Sequence, residues 1–468
     1  MEPLVVIFGS TGTGKSDLAV ELATQFNGEV INADAMQMYE GLPVITNQMS
    51  PEEQRGVPHH LIGNIGLREH PWTVLEFRRE ASRIISEIRG RGRLPIVVGG
   101  SAYYIDGLLF DDRLVKDELP AEIDPVPREE LLTKFPILFE PADVMLKKLH
   151  EVDPAMANKW HPKDTRKIRN SLQIYLTTGR RASDIYAEQQ SRKASRATGE
   201  SPNTRTPWNV LLFWLYARRD PLNERLDARV DKMLSRGLLD EISGVYDDYR
   251  TRLASGESVD RARGIVQSIG FWQFEPYLRA IKDETPEDGP ALAKLRAAGV
   301  EDTKTATRRY AKYQVRWLTM KTLASLRDEK LLDRLFLLDA TDVGVWHDEV
   351  ARKGVELTRA FVAGEQLSQP VDVSETAREV LTSTVERSSH QETPCNKTCD
   401  LCDKTFVTEK EWQKHLKSNR HQKSARYAKR PALVSYDARR TAVVSTKPEL
   451  PAQSNVTLDD PRAAKEAT

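Results

Sequence analysis

The chain has 468 residues, with 69 Lys+Arg against 69 Asp+Glu, and its three cysteines all lie between Cys395 and Cys402. At about 150 residues per domain the length suggests three domains or fewer; zero net charge excludes a globally basic nucleic-acid binder, so any such footprint must be local. Clustered cysteines exclude a disulfide framework and suit a reducing compartment, no apolar run approaches the ~20 residues that span a bilayer, and a first strand beginning by Leu4 leaves no signal peptide.

Leu4-Val5-Val6-Ile7-Phe8 is an unbroken apolar run and predicts a buried strand. Gly9-Ser10-Thr11-Gly12-Thr13-Gly14-Lys15-Ser16 follows and fits G-x-x-x-x-G-K-[ST]; residues 17–26 then carry Leu18, Leu22 and Phe26 at helical spacing. Strand, glycine loop and helix in that order are the context in which this pattern cradles a phosphate. The glycines let backbone N–H groups wrap the anion, the helix N-terminus adds positive potential, Lys15 adds a full charge, and Ser16 can hold Mg²⁺. The loop leaves open which phosphate compound it holds. Residues 29–34 read as a second strand ending in Asp34. Ligands bind at the ends of neighbouring parallel strands, which puts Asp34 beside the loop; an Asp capping the next turn is the alternative. Gln37 and Tyr39 follow. Residues 41–47 read as a turn and a short extended piece. His59-His60 reads as a strand edge whose side chains face opposite ways, which argues against a metal pair.

Residues 72–88 predict a helix with Phe77, Ala81, Ile84 and Ile88 on one face. The buried strand at 94–98 ends in Gly99-Gly100-Ser101, where a P-loop ATPase or kinase often carries its Mg²⁺-holding Asp. Two glycines there count against ordinary nucleotide hydrolysis and leave room for close approach by something bulky. Prolines and charges alternate over 111–141, and helices are predicted at 143–150 and 164–178. The second has Arg166, Lys167 and Arg169 near its start, where the helix dipole disfavours cations; they suit an RNA or phosphate surface, or simply a solvated face. Residues 191–206 read as a polar loop. A strand at 210–215 leads to a helix at 222–234 with Arg225 and Arg229 on one face, either a second anion contact or a ladder with Glu224 and Asp227. The helix at 303–323 interleaves Arg308, Arg309, Lys312 and Arg316 with Tyr310, Tyr313 and Trp317, a nucleic-acid pattern in which some aromatics must be core. A last strand (334–339) and helix (346–361) precede a linker-like stretch from about 363 to 394. Cys399-x₂-Cys402-x₁₂-His415-x₅-His421, with Phe406 and Trp412 between, then predicts a ββα finger with tetrahedral Zn²⁺. Lys and Arg are dense from 404 to 430, and 431–468 is too poor in large apolar residues to fold.

The combination resembles the tRNA dimethylallyltransferases (tRNA isopentenyltransferases), most closely the fungal and animal type with a C-terminal zinc finger. The matching blocks include the glycine loop, Asn32-Ala33-Asp34-Ala35-Met36-Gln37-Met38-Tyr39, Val98-Gly99-Gly100-Ser101-Ala102-Tyr103-Tyr104 and His161-Pro162-Lys163-Asp164-Thr165-Arg166-Lys167. They continue in Arg225-Leu226-Asp227-Ala228-Arg229-Val230, Gln267-Ser268-Ile269-Gly270-Phe271 and Arg308-Arg309-Tyr310-Ala311-Lys312-Tyr313-Gln314. One departure is Asn32-Ala33-Asp34-Ala35, where the family usually has Ser around the Asp. The resemblance implies that the loop (Gly9, Thr11, Gly12, Thr13, Gly14, Lys15, Ser16) holds the diphosphate of dimethylallyl diphosphate. The reaction implied is dimethylallyl transfer to N6 of the adenosine 3′ of the tRNA anticodon, a base taken out of its stack. Asp34 is then the general base. Lys15, Ser16 with Mg²⁺, Arg229 and, more weakly, Arg225 stabilise the leaving diphosphate. Gln37, Tyr39 and Ser101 line the base channel, and Arg166, Lys167 and Arg169 grip the anticodon stem. The fold implied is an α/β P-loop sheet with helices on both faces (1–120 and 201–362). A helical tRNA-binding insertion (121–200), a linker (363–394), a zinc finger (395–430) and a disordered tail (431–468) complete it. A cytoplasmic monomer, with mitochondrial and nuclear pools, is expected. The rivals are a small-molecule kinase, an adenylate isopentenyltransferase and a zinc-finger DNA-binding regulator.

Overall fold

The computed structural model describes residues 2–110, 128–197, 208–257, 259–261, 263–282, 289–388, 393–402 and 404–428. The chain forms two compact units, Met1–Gln391 and Glu392–Thr468. The first is built on β1 (Pro3–Gly9), β2 (Gly28–Asn32), β3 (His59–His60), β4 (Leu94–Gly99), β5 (Asn209–Tyr216) and β6 (Leu335–Asp339), in the order β3-β2-β4-β1-β5-β6. Every pairing is parallel. That explains why β1, β4, β5 and β6 read as near-continuous apolar runs: helices cover both faces, so both sets of alternating side chains are buried. On β1, Val5 and Ile7 face one core with Leu18, Phe213, Phe336 and Phe361, while Leu4, Val6 and Phe8 face the other with Phe77, Ile85 and Trp214.

Helix α1 (Lys15–Gln25) follows β1, and α2 (Val74–Gly90) precedes β4. Thr73 caps α2 through a box in which its side chain accepts from the Glu76 N–H and Glu76 reaches back to the Thr73 N–H, satisfying two otherwise orphaned donors. Helix α3 (Ala102–Leu109) leads to an insertion of α4 (Arg128–Lys134), α5 (Ala142–Val152), α6 (Pro154–Lys159), α7 (Thr165–Thr178) and α8 (Ala182–Ala197). The insertion has its own small core of Leu138, Met145, Leu149, Met156, Ile168 and Leu172. After β5 come α9 (Arg219–Ser235), α10 (Leu238–Ala254), α11 (Phe271–Lys282), α12 (Gly289–Trp317) and α13 (Leu323–Asp328), then β6, α14 (Lys353–Val362) and α15 (Glu375–Ser388).

Several expectations change. Residues 41–47 are turns rather than an extended piece, because the Val44 and Ile45 N–H groups donate to the Glu241 carboxylate at 2.7–3.1 Å. Residues 191–197 belong to α8 instead of a loop. The expected linker from 363 contains α15, whose Ala377 and Leu381 are buried in the sheet's second core; Ser, Thr and Glu on its outer face hide a thin apolar stripe. Leu381→Ala is therefore expected to cost about 2–4 kcal/mol, the usual cost of emptying a buried Leu site, and a thermal melt at the unaltered level would remove α15 from the folded core. The proline- and charge-rich 111–127, the end of the expected loop (198–206) and the tail (431–468) lie outside the described residues. Among the described residues no helix is long and apolar enough to cross a membrane.

The second unit contains β7 (Pro394–Cys399) and β8 (Lys404–Thr408), paired antiparallel, then α16 (Glu409–Leu416) and α17 (Asn419–Ala428). Phe406, Trp412 and His415 pack ring on ring in its small interior.

Candidate active site

The glycine loop joins β1 to α1, and its backbone demands its glycines. Gly12 and Gly14 have φ of 82° and 78°, a region that costs an L side chain energy. A Cβ on Gly14 would also lie 2.8 Å from the Trp346 indole nitrogen, and one on Gly12 2.7 Å from Leu226. Gly9 lies hard against the Leu215 carbonyl, where a Cβ would come to 2.3 Å. Thr13 is buried, its hydroxyl donating to the Ser10 carbonyl at 2.9 Å. Lys15 Nζ donates to the same carbonyl at 2.8 Å. Ser16 sits in the first turn of α1, and among the described residues its hydroxyl engages no protein partner.

Asp34 follows the end of β2, beside this loop. Asn32 shapes its turn: the Asn32 Oδ1 accepts the Asp34 N–H, and Nδ2 donates to the Asp34 and Leu61 carbonyls. The Asp34 carboxylate accepts the Met36 N–H at 3.1 Å, so the turn-capping and ligand-side readings coexist. Burial raises the Asp34 pKa above the ordinary carboxylate value, opposed by the Met36 N–H, Lys15 and Arg229. Burial likewise lowers Lys15 to about 8, with Asp34 acting upward and Arg229 downward. An acid and two cations thus share one enclosed space, the arrangement in which perturbed ionisation marks a functional site.

Arg229, on α9, donates from Nη1 to the Thr11 hydroxyl at 2.8 Å, and its Nε is buried with no partner among the described residues. An orphaned guanidinium N–H beside a phosphate loop is a donor held ready for an anion. Arg225 is placed differently from expectation. It donates to the carbonyls of Gly12, Ala340 and Thr341 at 2.9–3.0 Å, so it ties the loop to the sheet end rather than pointing a fork at the ligand. The ladder reading fails as well, since Asp227 pairs with Arg308 of α12.

Gly99 and Gly100 make way for protein. A Cβ on Gly99 would lie 2.2 Å from the Ala33 carbonyl, and one on Gly100 2.4 Å from Gln314 Nε2. Gln314, buried on α12, donates to the Gly100 carbonyl at 3.0 Å and accepts the Thr11 N–H at 2.8 Å. The bulky neighbour anticipated at the glycines is therefore this side chain and the Ala33 backbone. The Tyr310 phenol on the same helix face interacts with Asp34 and Gln314. Sequence reasoning assigns Gln314 and Tyr310 no role at the site; an amide on the inner face of a basic, aromatic helix is the available signal.

Ser101 accepts the Ala35 N–H at 3.0 Å, linking the end of β4 to the Asp34 turn. Tyr39 is core, 1% exposed, with its hydroxyl enclosed and unpartnered among the described residues. Gln37 donates to the Asn47 carbonyl at 3.0 Å. On the insertion, Arg169 is partly buried and donates to the Leu138 carbonyl at 2.7 Å; this is an internal tie, not the free grip expected. Lys167 pairs with Asp164 and lies 5.1 Å from the Trp160 ring. Arg166 is close enough to act on the Tyr313 phenol, and Lys159 is depressed by burial and by Lys321 and Lys167. Tyr103, Tyr313 and Trp317 cluster there, Tyr103 to Trp317 at 4.3 Å. Exposed aromatics among cations suit unstacked bases.

In the second unit, ligand atoms of Cys399, Cys402, His415 and His421 lie within 4.8 Å of one another. The Cys399 and Cys402 sulfurs stand 3.4 and 3.7 Å from His421 Nδ1, and His415 Nε2 is buried without a partner among the described residues. Tetrahedral Zn²⁺ with bonds of about 2.3 Å to sulfur and 2.0 Å to nitrogen gives S···N edges of about 3.5 Å, so the residues fit the ion.

Comparison with known proteins gives two family matches: IPP transferase over residues 37–321, and zinc-finger double-stranded RNA-binding over residues 395–422. The chain is 37% identical to a tRNA dimethylallyltransferase of Mus musculus, covering 90% of this chain and 85% of that one. It is also 37% identical to one of Schizosaccharomyces pombe, covering 92% and 97%. A solved structure of a eukaryotic dimethylallyltransferase acting on tRNA superposes with a TM-score of 0.74 at 32% identity, covering 95% of this chain and 99% of that one.

Proposed function

The chain belongs to the IPP transferase family, and on that premise we propose that it transfers a dimethylallyl group from dimethylallyl diphosphate to N6 of the tRNA adenosine 3′ of the anticodon. The observation that carries the reading is the enclosed group of Asp34, Lys15 and Arg229 at a phosphate loop whose neighbouring strand ends in Gly99-Gly100 instead of an acid. A cationic loop of this kind stabilises a departing diphosphate. A carboxylate beside it, made more basic by burial, accepts a proton.

In the reaction the adenine N6 forms a bond to C1 of the dimethylallyl group as the C1–O bond breaks. The diphosphate leaves with the bonding electrons, and the N6 proton passes to Asp34. The loop amides, Lys15 and the free Arg229 Nε neutralise the leaving group. The free Ser16 hydroxyl suits Mg²⁺, which takes few protein ligands and fills its shell from phosphate and water; when bound it would supply further charge neutralisation. Arg225 holds the loop, and Gln37, Tyr39 and Ser101 shape the wall behind Asp34. Arg166 and Lys167, with the Trp317 cluster, bear the anticodon stem-loop. The cytoplasm, with mitochondrial and nuclear pools, is the proposed location, in keeping with three free cysteines. Every group invoked comes from one chain, so a monomer suffices.

Incubation of unmodified tRNA with dimethylallyl diphosphate and Mg²⁺ is expected to yield N6-isopentenyladenosine in digested nucleosides. Product on free AMP but not tRNA would make the protein an adenylate isopentenyltransferase, and phosphoryl transfer from ATP would make it a kinase. The ionisations set a second expectation. Asp34 works only as the carboxylate, so kcat/KM for the donor rises with pH through its raised pKa. Lys15 binds diphosphate as the ammonium, so kcat/KM falls as pH passes about 8. A bell-shaped profile reports these two free-enzyme groups; a profile still rising well above pH 8 removes Lys15 from donor binding.

A further inference from the structure

We propose that Gln314 is a specificity residue that closes one end of the phosphate loop, so that the loop grips two linked phosphates and refuses a third. The inference rests on the diphosphate reading above.

The peptide unit between Ser10 and Thr11 is engaged at both ends. Its carbonyl accepts both the Thr13 hydroxyl, at 2.9 Å, and Lys15 Nζ, at 2.8 Å. Its N–H donates to Gln314 Oε1 at 2.8 Å. The Thr11 hydroxyl is taken as well, by Arg229. The anion cradle is thereby confined to the amides from Gly12 onward, next to the α1 N-terminus. A longer polyphosphate needs the Thr11 N–H as a further donor, and the Gln314 Oε1 already accepts it.

Gln314 is fixed rather than incidental. Its Nε2 donates to the Gly100 carbonyl at 3.0 Å, and the side chain is buried. Gly100 leaves room for it, since a methyl there would come to 2.4 Å from Nε2. The amide is held at both ends and fills the place where a nucleotide-hydrolysing P-loop protein meets its terminal phosphate and metal. A glutamine suits this task because it is neutral: it takes the loop N–H without repelling an anion bound beside it.

The test compares inorganic pyrophosphate with inorganic triphosphate, in excess Mg²⁺, by calorimetric titration of the full chain. The unaltered protein is expected to prefer pyrophosphate by on the order of tenfold or more. Gln314→Ala is expected to erase that preference, chiefly by admitting triphosphate; an amide that merely stabilised the loop would weaken both ligands in parallel and leave the ratio unmoved. Gly100→Ala keeps Gln314 but displaces its amide, and should also lose the preference. Equal affinities in the unaltered protein, or a preference intact in either variant, overturns the inference. No pyrophosphate binding to the unaltered protein overturns the diphosphate reading with it.

Discussion

Asp34→Asn is expected to slow single-turnover transfer by ~10²-fold or more, the usual loss of a general base, while pyrophosphate still binds. The amide keeps the geometry, because its carbonyl oxygen can still accept the Met36 N–H that the carboxylate holds at 3.1 Å. What it loses is the capacity to take the N6 proton. The variant also separates catalysis from folding. Burial raises the Asp34 pKa in the folded protein, so the folded state holds this proton more tightly than the unfolded one. Stability is then lost as pH rises from the unfolded to the folded value and stays lost above. Removing the charge removes that cost at neutral pH, and the variant should melt no lower than the unaltered protein. Pyrophosphate affinity should hold, since Asp34 supplies it no hydrogen bond. Single-turnover rates within a few-fold of the unaltered enzyme would take the base role from Asp34.

How much of this is legible in the sequence depends on how locally each feature is encoded. β1, the glycine loop and α1 form one contiguous pattern whose hydrophobic period and glycines need no distant partner, and the zinc ligands follow from spacing within one finger. Strand ends are encoded almost as locally, which is why Asp34 can be put beside the loop. The partners of arginines cannot be read this way. Arg225 and Arg229 are equivalent on a helical wheel, yet one meets three carbonyls and the other the Thr11 hydroxyl, because β6 and the loop arrive from far along the chain. Gln314 reaches Thr11 across 303 positions; its place on a basic, aromatic helix is a local hint of a site, but nothing local names its partner. α15 escapes a reading by composition because its buried stripe is thin: Ala377, Leu381 and Thr384 turn to the core with Val380 partly buried beside them, while Ser, Thr, Arg and Glu make up most of the rest.

Removing zinc should unfold the finger and leave the catalytic step standing. The site binds its metal through all four ligands, with no position left for substrate, so its role is structural. Fingers of this kind owe their folding to the metal, at apparent free energies of about 10–16 kcal/mol. Here the interior without it is Phe406, Trp412 and their neighbours, with no residue of α16 buried. Cys402→Ser, or a chelator, is therefore expected to abolish the finger's structure, read as loss of protection of the α16 amides in hydrogen exchange. The catalytic unit has a core of its own and should keep its melting temperature. Lys404, Lys410, Lys414, Lys417, Lys423 and Arg426 are exposed on the finger, and pairing of such residues with phosphate raises affinity without reading sequence. Every phosphate pairing removed flattens the slope of log affinity against log salt by roughly one unit on a duplex. Loss of the finger, by zinc removal or by truncation after Glu392, should thus raise KM for tRNA and flatten its salt dependence, with kcat at saturating tRNA nearly unchanged. Unaltered tRNA affinity across several salt concentrations would assign the finger to another partner. A collapse of kcat at saturating tRNA would instead mean that the finger places the adenosine.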